Sequence, residues 1–259
     1  MNTKRLTKIY IVLLLISCFI LYFLWKSLHH TYIPRDYPEI KKEGVLRIVT
    51  SYNSIDYYIS GDSIEGFQYN LCKVMEMYSG LNTEIYLENS LEKSIEGLQN
   101  QQYDIIARSI PVTVDNKEQL IFTNPISLNK QILVQRNAKN NNNIKPIRNQ
   151  IDLAKKNIYV PQNSPNILRL KNLAEEIGDT IFIIEEMKYD SEQLIYMVAN
   201  NEIDYAVVDK EIAINNKSQL SQIDIETDIS FTQFQAWALR KESSVLLDSI
   251  NTWLNLFLR

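Results

Sequence analysis

Only two cysteines and two histidines occur among 259 residues. A four-cysteine zinc site is thereby excluded, a Cys2His2 site would need every Cys and His in the chain, and a disulfide framework is excluded. Six glycines leave few places for phosphate-cradling loops, and no P-loop, G-x-G-x-x-G or G-x-S-x-G motif occurs. His29 and His30 stand together beside the apolar N-terminal segment, so a Ser–His hydrolytic pair is not expected. A basic surplus is missing too. Lys and Arg number 27 against 31 Asp and Glu, a net charge of −4, which argues against nucleic acid as a partner. No segment repeats with a 20–50-residue period. What remains is ordinary globular composition, 45% apolar and 22% charged, enough chain for one large domain or two small ones. Fifteen tyrosines lead the aromatics, a residue common in sites for small polar ligands.

The N-terminal segment sets the compartment. Lys4, Arg5 and Lys8 precede Ile9–Trp25, a run without charge at the short end of what spans a bilayer. Positive charge ahead of the run predicts a cytoplasmic tail over 1–8, a single-pass signal anchor over 9–25 in the inner cell membrane, and a periplasmic remainder. No small-x-small cleavage site follows. Leu15-Ile16-Ser17-Cys18 is similar to a bacterial lipoprotein box, so a lipoprotein lipidated at Cys18 is the alternative. Against it, Phe19–Trp25 stays apolar beyond the Cys. With Cys18 in the span and Cys72 elsewhere, no intrachain disulfide is expected.

Residues 26–43 read as a polar tether. Beyond it, strands and helices alternate. Val45–Ser51, Thr83–Leu87, Tyr103–Ala107 and Leu128–Arg136 read as strands. Gly66–Ser79, stopped by Gly80, and Ser90–Asn100, capped by Ser90, read as helices. Asn137–Asn143 is a low-complexity polar loop. After it the alternation restarts: strands at Asn157–Val160, Thr180–Ile184, Ile203–Val208 and Gln235–Arg240, and helices at Pro165–Ile177, Ser191–Asn200, Lys210–Asn216 and Ser243–Leu258. Alternation on both sides of a polar break predicts two α/β lobes. Carboxylates such as Glu84, Glu88, Glu185 and Glu186 read as solvated faces, with a glycosidase pair left open.

Several segments, in order, resemble the family 3 solute-binding proteins. They are Leu46–Thr50, Gly66-Phe67-Gln68-Tyr69-Asn70-Leu71, Tyr103-Asp104-Ile105-Ile106, Phe122-Thr123-Asn124-Pro125, Ile203–Asp209 and Ala236–Lys241. The loop Ser54–Tyr58, ending in Tyr-Tyr, is similar to one in the N-terminal, non-catalytic domain of the membrane-bound lytic murein transglycosylases F. The resemblance implies a two-lobed type II periplasmic-binding-protein fold. Lobe 1 would comprise 44–133 and 230–259, and lobe 2 137–226, with hinges at Ile132–Arg136 and Thr227–Thr232. The expected function is binding, not catalysis and without a cofactor. A small zwitterionic or anionic ligand (an amino acid, small peptide or muropeptide) would sit between the lobes, for uptake through a transporter permease of the ABC type or for sensing. The alternative is a truncated or degenerate lytic-transglycosylase-F-like protein that keeps only its regulatory binding domain, working with the cell-wall machinery. A third reading is an extracytoplasmic partner of another membrane protein, with a collapsed cleft.

The resemblance also implies site residues. Its α-amino clamp falls on Asp209, which a helix N-cap role for Lys210–Asn216 would explain equally. Its carboxylate-gripping Arg is absent from Thr113–Lys117. Arg108, at the end of a strand, is the expected substitute, since a guanidinium pairs bidentately with a carboxylate, with Lys117 and the Thr113 hydroxyl as weaker helpers. Tyr52, Tyr57, Tyr58 and Phe67 are candidate cleft walls, or half-buried surface aromatics. Ser164, before Pro165 at a helix start, is an anion-binding candidate or a plain cap. Gln68 stands where the family has an acid.

Overall fold

The computed structural model of the protein describes residues 3–28 and 35–257. It divides into two units, Met1–Pro34 and Arg35–Arg259. In the first, Thr3–Leu28 forms helix α1, and its apolar side chains from Val12 to Leu24 are exposed. The expected span Ile9–Trp25 lies within α1, with the side chains of 9–11 and 25 outside the described residues. Among the described residues, no helix is long and apolar enough to cross a membrane. Met1, Asn2 and 29–34, including both histidines, also lie outside the described residues.

The second unit holds two lobes, each built on one sheet. Lobe 1 begins with helix α2 (Tyr37–Glu43), strand β1 (Val45–Thr50), the hairpin β2 (Tyr58–Ser60) and β3 (Ser63–Glu65), and α3 (Phe67–Ser79). It continues through β4 (Asn82–Leu87), α4 (Leu91–Gln99), β5 (Ile105–Pro111), α5 (Val114–Gln119), β6 (Leu120–Phe122) and β7 (Ser127–Asn129). Lobe 2 comprises β8 (Gln131–Arg136), β9 (Asn157–Pro161), α6 (Asn166–Ile177), β10 (Phe182–Glu186), α7 (Ser191–Ala199), β11 (Tyr205–Asp209), α8 (Lys210–Lys217) and β12 (Ile223–Asp228). The chain then returns to lobe 1 with β13 (Gln233–Arg240) and α9 (Ser244–Phe257).

The sheet orders are β4-β1-β5-β13-β6, with β7 also on β13, and β10-β9-β11-β8-β12. In each, parallel βαβ units are completed by a strand running the other way, β13 against β5 and β8 against β11. Parallel strands covered on both faces read as apolar runs. Accordingly Ile48, Ile105, Trp237 and Leu239 lie in one lobe 1 core and Val49, Ile106 and Ala238 in another. Ile132, Val134 and Val208 face one lobe 2 core, and Leu133, Ile158 and Val207 the other. Cys72 is buried in the lobe 1 core, where burial pushes its thiol up to about 12.

The lobes share a device: an arginine on the antiparallel strand holds a turn, and the turns held, 98–104 and 198–204, lie 100 residues apart. Arg240 on β13 donates from Nη1 to the carbonyls of Leu98 (2.9 Å) and Tyr103, and from Nη2 to Asp104 at 3.2 Å. Arg136 on β8 donates to the carbonyls of Val198 (3.2 Å) and Ile203 (2.7 Å) and to Asp204 at 2.5 Å. The turn each arginine spans contains a left-handed residue, Gln101 in lobe 1 and Asn201 in lobe 2. Asp104 is fully buried. It also accepts from Arg35 Nε at 2.8 Å and from the Arg47 N–H at 3.0 Å.

Four expectations are corrected. Residues 37–43 are not tether but helix α2: Asp36 forms a capping box with Glu39, and Ile40 is fully buried. The expected strand Leu128–Arg136 breaks at Lys130 into β7 and β8, which pair in different sheets. Lobe 1 therefore ends at Asn129 rather than 133. The crossings lie at Lys130 and between Asp228 and Gln233, because β8 and β12 both belong wholly to the lobe 2 sheet.

Candidate functional site

The lobes meet across a cavity of about 110 Å³. Its floor is built from strand ends, where ligands bind in open α/β sheets. In lobe 1, Ile106 and Ile110 of β5 pair with Ala238 and Ala236 of β13. Four steps on one strand match two on the other, so Ala107–Ser109 bulges out of register. Bulges re-aim side chains. Here Arg108 and Ser109 are half-buried and line the cavity while their neighbours face the core. Arg108 lies mid-strand rather than at its end, and donates from Nη1 to the Asn89 carbonyl at 3.0 Å. Desolvation draws its pKa down, opposed by the charges of Asp56, Asp209, Glu88 and Asp190.

In lobe 2, β11 delivers Asp209 to the cavity, opposite Gln131 of β8. Asp209 occupies the N-cap position of α8 but its side chain accepts no capping bond. Desolvation pushes its carboxyl up to about 6, against the pull of Arg108 and with the charges of Asp56 and Glu211 adding to the rise. The cap explanation for Asp209 thus fails, and its carboxylate is left facing the cavity. Ser164 lines the same cavity. Its hydroxyl is buried without a partner among the described residues, as is that of Ser51 at the cavity mouth. Pro165 holds the N-cap position of α6, so Ser164 is not the cap.

Of the nine expected site residues, Arg108, Asp209 and Ser164 converge on the cavity. Tyr52 stands at its mouth, half exposed, with Arg108, Asp190 and Glu192. Five lie elsewhere. The Tyr57 ring packs edge-on against Tyr69, at 5.5 Å, and beside Tyr52. Tyr58 donates to Glu65 across the β2–β3 hairpin at 3.2 Å. Phe67 opens α3 with 41% of its surface exposed. The Thr113 hydroxyl caps α5 by accepting from Asn116 N–H at 3.2 Å, and Lys117 lines a separate groove on lobe 1. For Thr113 the cause is α5, which takes its hydroxyl as a cap; the residue lines a neighbouring cavity that shares Leu91, Pro111, Asn163 and Ser164 with the first. Gln68 is buried, accepts from Trp237 Nε1 at 2.6 Å and also hydrogen-bonds the Asp56 carboxylate, so it links the lobe 1 core to the cavity.

The sequence reasoning missed Asp56, Asp190 and Glu211, which also line the cavity. Asp56 is fixed by the turn at Gly66. There φ is +135°, and a Cβ would lie 2.3 Å from the Asp56 carbonyl oxygen; Tyr69 N–H donates to that same oxygen at 3.1 Å. Asp190 caps α7 through Glu192 N–H at 3.1 Å. The Asp190-x-x-Gln193 capping box was the readable signal for this residue.

Hydrogen bonds cross between the lobes at the mouth. Glu192 accepts from Ser54, at 2.9 Å from its N–H and also from its hydroxyl. Asn215 donates to Ser54 Oγ at 2.7 Å, Asn89 to Asp190 at 2.9 Å, and Asn163 to Glu92. These bonds hold the cleft in a closed arrangement.

Residues 46–257 match the family described as bacterial extracellular solute-binding proteins, family 3. The chain belongs to this family. Two similar proteins are the membrane-bound lytic murein transglycosylases F of Saccharophagus degradans, 26% identical over 215 residues (83% of this chain, 42% of that protein), and of Desulfosudis oleivorans, 27% identical over 213 residues (82% and 45%). The chain spans less than half the length of either. Among solved structures, holo ArgBP from T. maritima superposes with a TM-score of 0.73 at 21% identity, covering 86% of this chain and 94% of that one. An ancestral arginine-binding protein bound to glutamine gives 0.70 at 21% identity, covering 83% and 92%. These likenesses show the two-lobed α/β solute-binding fold. The motif segments Leu46–Thr50, Ile203–Asp209 and Ala236–Lys241 fall on strands and their ends.

Proposed function

We propose that this chain is a membrane-tethered, extracytoplasmic solute-binding protein that closes its lobes over a small zwitterionic ligand of the amino-acid or short-peptide class, for uptake or sensing. One observation carries the reading: Asp209 and Arg108 come from different lobes to one small closed cavity, each within reach of the other's charge, and neither forms an ion pair among the described residues. A ligand carboxylate on Arg108 and a ligand ammonium on Asp209 supply those partners, and charge-assisted hydrogen bonds are roughly twice as strong as neutral ones. A ligand touching both lobes shifts the population toward the closed state by its differential affinity. The carboxylates around Asp209 favour the zwitterion over a simple anion. The basic cluster before Ile9–Trp25 supports anchoring in the inner membrane with this domain outside, and Cys18 is the site a lipoprotein would use instead.

A second reading has its own support. The lytic murein transglycosylases F align with this chain over less than half their length, which fits a binding module that regulates cell-wall cleavage. The experiment for both is a thermal-shift screen of the full chain in detergent against amino acids, short peptides and muropeptides. A ligand at 100 times its Kd adds about 2.7 kcal/mol of stability. Removing one partner of a desolvated charge pair costs ~2–5 kcal/mol, so Arg108→Ala and Asp209→Ala should each weaken binding more than tenfold. Unchanged affinity in both variants overturns the site, and a response to muropeptides alone selects the second reading.

A further inference from the structure

We propose that the flank of the hinge carries a second small-molecule site, independent of whatever Arg108 and Asp209 hold. Its ligand is an uncharged amide: an N–H donor for Gln131, joined to an apolar group.

Beside the first cavity lies a larger one of about 630 Å³, within the ~300–1,000 Å³ usual for small-molecule sites. The two share Leu91, Pro111, Asn163 and Ser164, but Arg108, Asp56 and Asp209 line only the first. Helix α5 walls the larger cavity from lobe 1 and α6 from lobe 2, while Gln131 and Gln233 reach it from the two crossings.

Gln131 is the residue that asks for a ligand. It is 5% exposed, and its Oε1 is buried with no hydrogen-bond partner among the described residues. Burying an acceptor without a donor is costly. Its backbone is tied to the other crossing: the N–H donates to Ser230 Oγ at 2.9 Å, and the carbonyl accepts from Ile229 N–H at 2.8 Å. Gln131 stands directly opposite Asp209 in the β8–β11 pairing, and directly opposed side chains share one face of a sheet. The Ser164 hydroxyl, likewise buried and without a partner among the described residues, stands in the wall between the two cavities.

The lining sets the chemical class. Arg169 is already engaged, from Nε to the Ile229 carbonyl at 2.8 Å and from Nη1 and Nη2 to Glu176 at 2.6 and 3.1 Å. Glu92 accepts from Asn163. Asp115 is exposed in the first turn of α5, and an exposed charge holds a counter-charge only weakly. A charged ligand therefore finds no strong partner, and an anion meets two carboxylates. The carboxamides of Asn116, Gln119, Asn172 and Gln233 also line the cavity, and such groups both donate and accept. Val114 of lobe 1 and Leu168 of lobe 2 line it while 78% and 46% exposed, so an apolar group between them removes that surface from water. A neutral amide with an apolar side chain meets the acceptor, the carboxamides and the apolar walls together.

The test is a saturation-transfer NMR titration of the full chain in detergent with N-acetyl-L-leucinamide, and with N-acetyl-L-leucine as its anionic counterpart. The amide should bind, and the acid at least tenfold more weakly. Gln131→Leu, which removes the acceptor at similar volume, should weaken the amide about tenfold. Leu168→Trp, which fills the cavity from an exposed position, should abolish its binding. Asp209→Ala should leave the amide's affinity unchanged. No binding of the amide to the wild type overturns the proposal, and so does an affinity untouched by both Gln131→Leu and Leu168→Trp. Loss in Asp209→Ala alone places the probe in the first cavity, which overturns the second site and leaves the amino-acid reading standing.

Discussion

Glu192 at the start of α7 accepts two hydrogen bonds from Ser54, one from its backbone N–H and one from its hydroxyl. The two residues belong to different lobes, so one side chain carries much of the closed arrangement at the cleft mouth. Both are half-buried, and a hydrogen bond to a charged group contributes ~1.5–3 kcal/mol when well shielded. Glu192→Ala should open the lobes without unfolding either. Small-angle scattering of the unliganded variant should give a larger radius of gyration than the wild type, with little change in Tm.

The buried knot of Arg35, Asp104 and Arg240 concerns stability. Removing one partner of a buried ion pair leaves the other charge uncompensated, at ~3–5 kcal/mol. At about 2–4 °C per kcal/mol for a domain of this size, Asp104→Ala should lower Tm by roughly 10 °C. Asp204→Ala is the internal contrast. It removes the equivalent acid of lobe 2, whose side chain is 71% exposed, while the buried Arg136 keeps the Val198 and Ile203 carbonyls, so the loss in Tm should be smaller than for Asp104→Ala. Differential scanning calorimetry of the two variants reads both.

Gly66→Ala places a Cβ 2.3 Å from the Asp56 carbonyl oxygen at φ +135°. Backbone must move on one side or the other. The expected cost is at least ~1–3 kcal/mol of strain, measured by urea denaturation. Because Asp56 shifts with that loop, ligand binding in the cavity it lines should weaken as well.

Asp209 makes stability and binding depend on pH in opposite directions. Its carboxyl ordinarily titrates near 3.8 and in the folded chain is raised to about 6. A raised carboxyl binds its proton more tightly when folded, so its contribution favours folding below about pH 4. That contribution is lost as pH rises through 6. Asp209→Asn should therefore raise the Tm of the unliganded protein at pH 7.5 and flatten its slope between pH 4 and 6. Binding runs the other way. A ligand ammonium needs the ionised form, so wild-type affinity should fall as pH drops below 6, while the Asn variant binds weakly throughout. Thermal melts and calorimetry across pH 4–8 check both signs.

Much of the lobe architecture was legible because its signals are local. Gly66 and Gly80 bracket α3 and the Ser90 hydroxyl caps α4 as the spacing predicts; the apolar runs of β1, β5 and β11 mark strands covered on both faces. Short or irregular elements escaped. The β2 and β3 strands have three residues each, too few for a period to show, and β12 carries a bulge between Asp224 and Thr227 that breaks its alternation. Helix α2 was readable in Asp36, Pro38 and Glu39, but its polar composition masked the single buried Ile40. At the site, Asp209 could be found because it ends a strand and strand ends converge in such folds; Arg108 stands mid-strand and reaches the cavity through the bulge in β5, which no local pattern shows. Asp56 and Glu211 could not, since a loop and a helix start from different lobes meet only through tertiary packing. Thr113 misled for a local reason: a hydroxyl before a short helix is used by that helix.

Lobe 2 is one uninterrupted stretch inserted into lobe 1, whose sheet places β13 between β5 and β6. During synthesis the inserted lobe is complete once β12 has emerged, and it can fold on its own local contacts. Lobe 1 must keep a slot open in the middle of its sheet until β13 arrives with Trp237 and Leu239, and α9 then completes its core with Leu246, Ile250, Trp253 and Leu254. Pairing across that slot closes a loop of more than a hundred residues, an entropically slow event. The order of assembly is thus written into the insertion: the inner lobe first, the outer lobe last, and a functional cleft only when both exist.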